Sequence, residues 1–322
     1  MKKSLLALAV LSAFAGAASA QSSVTLSGGI DAAIQRQNGE WNMSTGNSGR
    51  SNFTLSGRED LGGGLNAFFA LNYRFNAGTG QGTSAYTTSS FWRQSWVGLG
   101  GAFGDVRLGR MLPVLQEFNG GFDPFGTETI GSTHVNGLFN VAGTAGGARY
   151  NNTIYYRSPS LGGLAVHASI SAADQQIAGT PTTNFTNGTE RPVGIAVAYA
   201  AGPIRAAVAY DRNAVDLKTK GVYGAFNAGF AEFMFQWENS DATPSTDVSV
   251  WSIGAKAPLG AATLKAGYRN SSDLEAKKVA FGVDYALSKR TTVYTDVAKS
   301  SGDGLSSNAK KAQFDVGVWH RF

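Results

Sequence analysis

The sequence predicts an all-β chain, a 16-stranded antiparallel transmembrane barrel. Three observations carry this. Period-two alternation of apolar and polar residues recurs throughout, and no long segment shows a 3.6-residue apolar period. Short glycine-bearing connections alternate with long polar ones, the pattern of a barrel with tight turns at one end and loops at the other. Glycine makes up 42 of 322 residues, about 13%, against a usual ~7%, while charged residues make up only 15%.

Composition also excludes several classes. With 43% hydrophobic residues the chain is no disordered tail. No apolar run of ~18 residues follows position 20, so helical membrane spans are not expected. The absence of cysteine rules out a disulfide scaffold and thiolate metal sites.

The first twenty residues read as an address. Lys2 and Lys3 precede a short apolar stretch from Leu5 to Ala15, and Ala18-Ser19-Ala20 supplies small residues for cleavage. That is a secretory signal peptide over 1–20, leaving one barrel over 21–322. Removing Lys2 and Lys3 takes 27 basic side chains to 25, against 22 acidic ones, a net charge of +3. So mild a balance does not point to nucleic acid as a partner.

The first strand is expected near 23–36, where Val24, Leu26, Ile30 and Ile34 share one parity. Others follow near 50–60, 64–76, 91–100, 103–111, 148–159, 162–173 and 191–200. The second half continues near 203–212, 218–227, 229–240, 246–257, 261–271, 276–286, 289–299 and 311–322. Short turns include Leu61-Gly62-Gly63-Gly64, Leu161-Gly162-Gly163 and Pro258-Leu259-Gly260, and the longest loop runs from Met111 to about Gly147. A sheet in lipid must close so that no backbone group is left unpaired, and an even strand number returns both termini to one side. Tyr150, Tyr156, Tyr199, Tyr210, Trp251, Tyr268, Trp96 and Phe322 are expected as aromatic girdles at the membrane interfaces.

Several short motifs run through the chain in one order. They are Ser23-Val24-Thr25-Leu26-Ser27-Gly28, Glu59-Asp60-Leu61-Gly62-Gly63-Gly64-Leu65, Trp96-Val97-Gly98-Leu99, Leu108-Gly109-Arg110 and Asn151-Asn152-Thr153-Ile154-Tyr155-Tyr156, with Phe322 at the end. On these residues the chain resembles the trimeric general porins of Gram-negative outer membranes, in the branch typical of β-proteobacteria. The resemblance implies a barrel whose third long loop folds inward and narrows the pore. It also implies a homotrimer in contact with outer-membrane lipid and lipopolysaccharide, with Phe322 as the signal read by the barrel-assembly machinery. The implied activity is passive diffusion of small hydrophilic solutes without cofactor or metal; a preference for small anions is expected from the inward arginines of the early strands, which face a loop with only three carboxylates.

Site residues follow from the same resemblance. Arg93 and Arg149 fall on positions that carry a basic ladder along the pore wall in the family. Where related porins show a further basic residue this chain has Asn52, and Arg50 and Arg58, of the same parity, are the candidates to replace it. The third loop contributes Glu117, Asp123 and Glu128, and Asp123-Pro124-Phe125-Gly126 reads as a turn. Arg74, Arg107, Arg157, Arg205, Lys265 and Arg269 also fall on inward faces and are expected as solvated wall.

The alternative within this class is a substrate-specific pore for an anionic or sugar-like solute, with Trp41, Tyr86, Phe118, Phe122 and Phe125 as an aromatic track. Catalysis is not expected. The three histidines, His134, His167 and His320, stand in no Ser-His arrangement, and no Gly-x-Ser-x-Gly elbow, His-Glu-x-x-His pair or phosphate-binding glycine loop occurs. A plugged, purely structural barrel would need longer loops or a plug domain than this chain offers.

Overall fold

The computed structural model describes residues 23–44, 51–82, 92–126, 129–133, 149–172, 190–214, 216–243, 246–307 and 309–322. The expected signal peptide lies outside them, as do Arg50, Tyr86, Glu128 and His134. The strands begin with β1 Ser23–Gln37, β2 Glu40–Ser44, β3 Asn52–Gly62, β4 Leu65–Arg74, β5 Gln94–Gly101 and β6 Gly104–Met111. After a short helix, α1 Val114–Asn119, come β7 Tyr150–Arg157, β8 Leu164–Ser171, β9 Val193–Ala201, β10 Ile204–Arg212 and β11 Lys218–Asn227. The last are β12 Glu232–Thr243, β13 Thr246–Leu259, β14 Ala262–Ser271, β15 Ala276–Ala286, β16 Thr291–Ser301 and β17 Gln313–Arg321.

These 17 segments form a closed antiparallel barrel of 16 staves. The count drops by one because β2 and β3 lie end to end along the same edge of β1. Residues 52–58 of β3 oppose 23–29 of β1, and residues 40–44 of β2 oppose 33–37. The β1–β2 turn is Asn38-Gly39, with φ of 55° and 89°. Asn-Gly suits the left-handed positions of a two-residue hairpin, so the extra strand has a local cause.

The barrel closes where β1 meets β17, from Gly29 opposite Arg321 to Arg36 opposite Phe314. Below that, Gly28 and Phe322 exchange both backbone hydrogen bonds, at 3.0 and 3.1 Å. A Cβ at Gly28 would collide with the Asn52 carbonyl oxygen and meet Phe53 Cα at 2.9 Å, so glycine lets β3 lie close against β1 beside the seam, with Phe322 Cζ 3.0 Å away.

Both ends of the described chain sit at the short-turn end. Turns there use glycines at positive φ, among them Gly63 at 61°, Gly202 at 56° and Gly260 at 61°. At the opposite end the long connections are 75–93, 112–149, 172–192 and 302–312. The alternation in length fades after β10: the connections 213–217, 244–245 and 272–275 are short as well. Asymmetry between the two ends is therefore a property of the first half and the last loop.

Strand alternation sorts the side chains as the pleat requires. Val24, Leu26, Ile30 and Ile34 of β1 point outward and are exposed, while Asp31 and Gln35 point inward and are buried. Exposed Val, Leu, Ile and Phe recur on the outer face of β5 to β17, the apolar band that lipid contacts. The girdle expectation holds for Tyr210, Trp251 and Tyr268 on outward parity, where Trp251 and Tyr268 pack at 5.4 Å between ring centroids. Two members differ. Trp96 alternates with exposed Val97 and points inward. Tyr150 is buried beside its partner Met111, because a register shift between Gly109 and Met111 breaks the alternation set by Ile154.

The described part of the β6–β7 connection packs against inward-facing residues. Helix α1 contacts β8 to β11, and the 3-10 turn Gly120–Phe122 contacts β11 and β12. Met111, Val114, Leu115 and Phe122 bury themselves with Tyr155, Ala196, Ala207, Ala209, Tyr223, Ala225 and Met234. The principal apolar core thus lies inside the barrel, between loop and wall.

Candidate functional site

Alanines and glycines on the inner face of β9 to β11 shape the surface on which α1 rests. Ala196, Ala207, Ala209 and Ala225 pack under it, and a Cβ at Gly194 would meet Val114 Cβ at 3.0 Å. The amide of Leu115 donates to Asp211 Oδ2 at 2.5 Å, so a buried wall carboxylate accepts one of the N–H groups that a helix start leaves unpaired. Nearby, Tyr223 Oη donates to Glu238 Oε1 at 2.6 Å.

The following turn is organised by Asp123. Its carboxylate accepts from Phe125 N at 2.9 Å, Ser132 Oγ at 2.9 Å and Thr133 N at 2.7 Å. Gly126 N closes the turn onto Asp123 O at 3.0 Å with φ of 63°, as the Asp-Pro-Phe-Gly sequence suggests. Burial raises the Asp123 carboxyl above its usual range, against the opposing effect of those hydrogen bonds and of Lys278. Asp123 therefore ties the loop to itself. Phe125, also buried, lies under Lys265, whose Nζ is 5.0 Å from the ring centroid.

Glu117 is placed differently. It reaches the wall, where Tyr155 Oη donates to its Oε2 at 2.6 Å and Arg107 Nη1 lies 3.7 Å from its Oε1. The Arg107 guanidinium sits over Trp96 at 5.1 Å and over Tyr155 at 5.3 Å, and Tyr155 Oη is 2.6 Å from His167 Nδ1. Arg107 was expected only as solvated wall; the structure makes it the partner of the loop carboxylate. Its inward parity was legible, but the partner depends on where the loop runs.

The described loop residues pack on the wall from β7 round to β16, with Ile130 reaching Asp315 of β17 and Glu117 reaching Arg107 of β6. On β3, β4 and β6, Arg58, Arg74 and Arg107 share the inward parity. Arg93 and Arg149 stand just before β5 and β7, at the loop-side ends. Arg93 is half-buried and Arg149 buried. Each adjoins a local irregularity. Arg93 N donates to Asn72 O at 2.8 Å although Gln94 is the ladder partner of Asn72, which interrupts the alternation that would group Arg93 with Val97. Arg149 precedes the register shift of β7, and Arg110 donates to its carbonyl at 3.3 Å.

Arg58 is exposed, bonded to Asn66 Oδ1, with its guanidinium 5.0 Å above the Phe68 ring. It lies six residues beyond Asn52 along β3, roughly 20 Å toward the short turns. The ladder partner of Asn52 is Arg74, which brings an arginine to that level from the neighbouring strand. Alternation places Arg74 on an inward face but does not identify Asn52 as its neighbour, because cross-strand register is not local information.

Of the expected aromatic track, Tyr86 lies outside the described residues, Phe118 and Phe122 both pack on Tyr223, and Trp41 stands apart from them. Trp41 is exposed on the loop-side hairpin and packs edge-on with Phe314 at 6.3 Å. Phe122 and Phe125 are buried under the loop, and Phe118 is half-buried against His167 at 5.1 Å. Among the described residues no group of three or more His, Cys, Asp or Glu could hold a metal ion, and no helix is long and apolar enough to cross a membrane.

A closed sheet with an apolar outer band, a charged inner face and a chain segment packed against that face defines an outer-membrane channel built on a β-barrel. A sequence model described as Gram-negative porin matches residues 7–305. The chain belongs to the Gram-negative porin family. It is 33% identical to outer membrane porin protein 32 of Delftia acidovorans over 92% of this chain and 89% of that one. With an outer membrane porin of Bordetella pertussis it shares 28% over the full length of both. Among solved structures, the anion-selective porin from Comamonas acidovorans superposes with a TM-score of 0.75 at 27% identity, over 94% of this chain and 100% of that one. The trimer form of OmpT from Vibrio cholerae shares the fold at 12% identity, with a TM-score of 0.68 over 94% of this chain and 99% of that one. The protein is thus an outer-membrane porin, a passive channel.

Proposed function

We propose that the channel favours small anions and is narrowest between the segment 114–133 and the arginine-bearing arc of β3 to β7, with Arg93 and Arg149 at the loop-side level. The observation that carries this reading is the separation of charge around the barrel. Of the carboxylates expected on the loop, Asp123 is turned into the loop and Glu117 is held by Arg107, while arginines stand on five neighbouring strands, β3 to β7, or at their ends. Arginine stays protonated throughout the physiological range. The anion selectivity named for the Comamonas acidovorans porin supports the same preference. Arg74 joins Arg93 and Arg149 at the level of Asn52, and Arg58 acts lower, in the vestibule toward the short turns.

The reading includes no chemical step and no cofactor, since flux follows the concentration gradient. The assembly is a homotrimer, as in the trimer form of the Vibrio cholerae barrel. It sits among lipid and lipopolysaccharide, with Phe322 presented to the assembly machinery and then locked against Gly28. Glu128 and Arg50 complete the proposed set from outside the described residues.

Reversal potential across a salt gradient tests the assignment. A unit charge ~8 Å from a passing ion in water contributes about 0.5 kcal/mol. Each arginine removed should therefore lower the anion-to-cation permeability ratio roughly 5-fold, since anion and cation respond in opposite directions. Arg93→Ala and Arg149→Ala should each do so, and the double variant more. Glu117→Gln should move the ratio the other way by freeing Arg107. A wild-type preference for cations, or a double variant with unchanged selectivity, would refute the reading.

A further inference from the structure

The inner wall beneath the tip of the β6–β7 loop lacks side chains where the tip rests. Gly254 of β13 and Gly267 of β14 are direct ladder partners, and Gly282 of β15 pairs with Lys265 of β14. All three are on the inward face, and each is filled from the loop or the wall. A Cβ at Gly254 would meet Pro124 Cγ and Cδ, both at 2.6 Å. At Gly267 it would meet Thr133 Oγ1 at 2.6 Å, Thr133 Cγ2 at 2.9 Å and Phe125 Cε2 at 3.2 Å. At Gly282 it would meet Phe125 Cε1 at 2.9 Å and collide with Asp296 Oδ1.

Ala280 and Ala298 complete the floor under the Phe125 ring, and Lys265 covers the ring from the side. At Gly254 and Gly267 a loop side chain packs into space that a methyl group would fill, and at Gly282 Phe125 shares that space with Asp296 of β16. None of these three glycines has a positive φ, so backbone conformation does not explain why glycine stands there. Loop contact does.

We infer that Gly254, Gly267 and Gly282 form a seat that fixes how far the loop tip projects into the lumen, and thereby positions the constriction. The inference rests on the pore reading above. The seat and the Asp123 staple divide the work. Asp123 holds the turn in shape, whereas the glycines let that preformed turn lie close to the wall. The effect on ions is indirect, through the distance left between tip and arginine arc. Ordinary carbon contacts begin near 3.4 Å, so a methyl at Gly254 needs the tip to move by about 1 Å, and nearby packing opposes sideways relief.

Single-channel conductance of the full-length assembled protein in planar bilayers reads this distance. Gly254→Ala should lower the conductance by roughly a third, because an overpacked contact is relieved by displacement toward the open lumen. Removing Pro124 Cγ and Cδ with Pro124→Ala in the same chain should restore most of the wild-type value. Gly224→Ala serves as a control, since a Cβ there meets nothing within 4 Å. A purely structural role would alter folding yield or heat stability without rescue of conductance by the second change.

Unaltered conductance in Gly254→Ala, or a double variant no closer to wild type, overturns the seat. Should Gly254→Ala fail to assemble, Phe125→Ala, which leaves the barrel wall untouched, decides: it should raise the conductance and its noise, and wild-type behaviour overturns the inference. Open-channel steps with the expected selectivity in wild type, together with either negative result, would remove the seat and leave the pore reading standing. Absence of steps in wild type would remove both.

Discussion

Asp123→Ala should release the loop tip while leaving the barrel folded. The carboxylate accepts hydrogen bonds from Phe125 N, Ser132 Oγ and both the amide and hydroxyl of Thr133, and it is buried. Removing it strands donors in a site that water enters poorly, a loss of about 3 kcal/mol or more. The ladder bonds of the wall are not touched, so heat resistance of the assembled protein should change little. Limited proteolysis should cut between residues 123 and 133 far faster than in wild type, and single-channel traces should show a larger, noisier open level. Asp123→Asn should fall between the two, because an amide oxygen still accepts from the backbone. Wild-type protease resistance in Asp123→Ala would show that the loop is held by its packing alone.

An arginine on the lipid face should disrupt the barrel by a different route. Val208 stands at the middle of β10, outward and exposed, opposite Val197 and Val222. Val208→Arg places a charge in the apolar band at a cost of about 2–4 kcal/mol near the bilayer midplane. Refolding into lipid vesicles, followed by urea titration, should show that loss. The same residue introduced on the inward face, as Ser56→Arg in β3, should cost far less. Equal penalties at the two positions would contradict the assignment of faces.

The strand pattern was legible because lipid acts on one face of every strand and the lumen on the other. That makes alternation a strictly local signal, read two residues at a time. Sixteen expected strands appear in the barrel within a few residues of their expected ends. The additional β2 had a local signal too, in Asn38-Gly39, a hairpin sequence that fits the two positive φ values. Trp96 could also have been placed inward from its alternation with Val97. Tyr150 could not, since a register shift turned it.

Arg93 and Arg149 came from family resemblance, and each stands beside an irregularity that simple alternation does not describe. Of the expected loop carboxylates, Glu117 reaches the wall, Asp123 turns back into the loop, and Glu128 falls outside the described residues. Composition and spacing do not distinguish those fates, because a carboxylate's role depends on which donors the folded loop brings to it.

The sequence alone determined that this chain is a barrel, which face of most strands meets lipid, and where the long connections lie. These follow from periodicity, turn residues and the need to pair every backbone group in a membrane. Only the tertiary structure decided that Arg107 holds Glu117, that Arg74 stands opposite Asn52, and that the loop residues Pro124, Phe125 and Thr133 rest on glycines from three strands. Such contacts join residues far apart in sequence, and they exist only once the sheet has closed and the β6–β7 segment has packed against its inner wall.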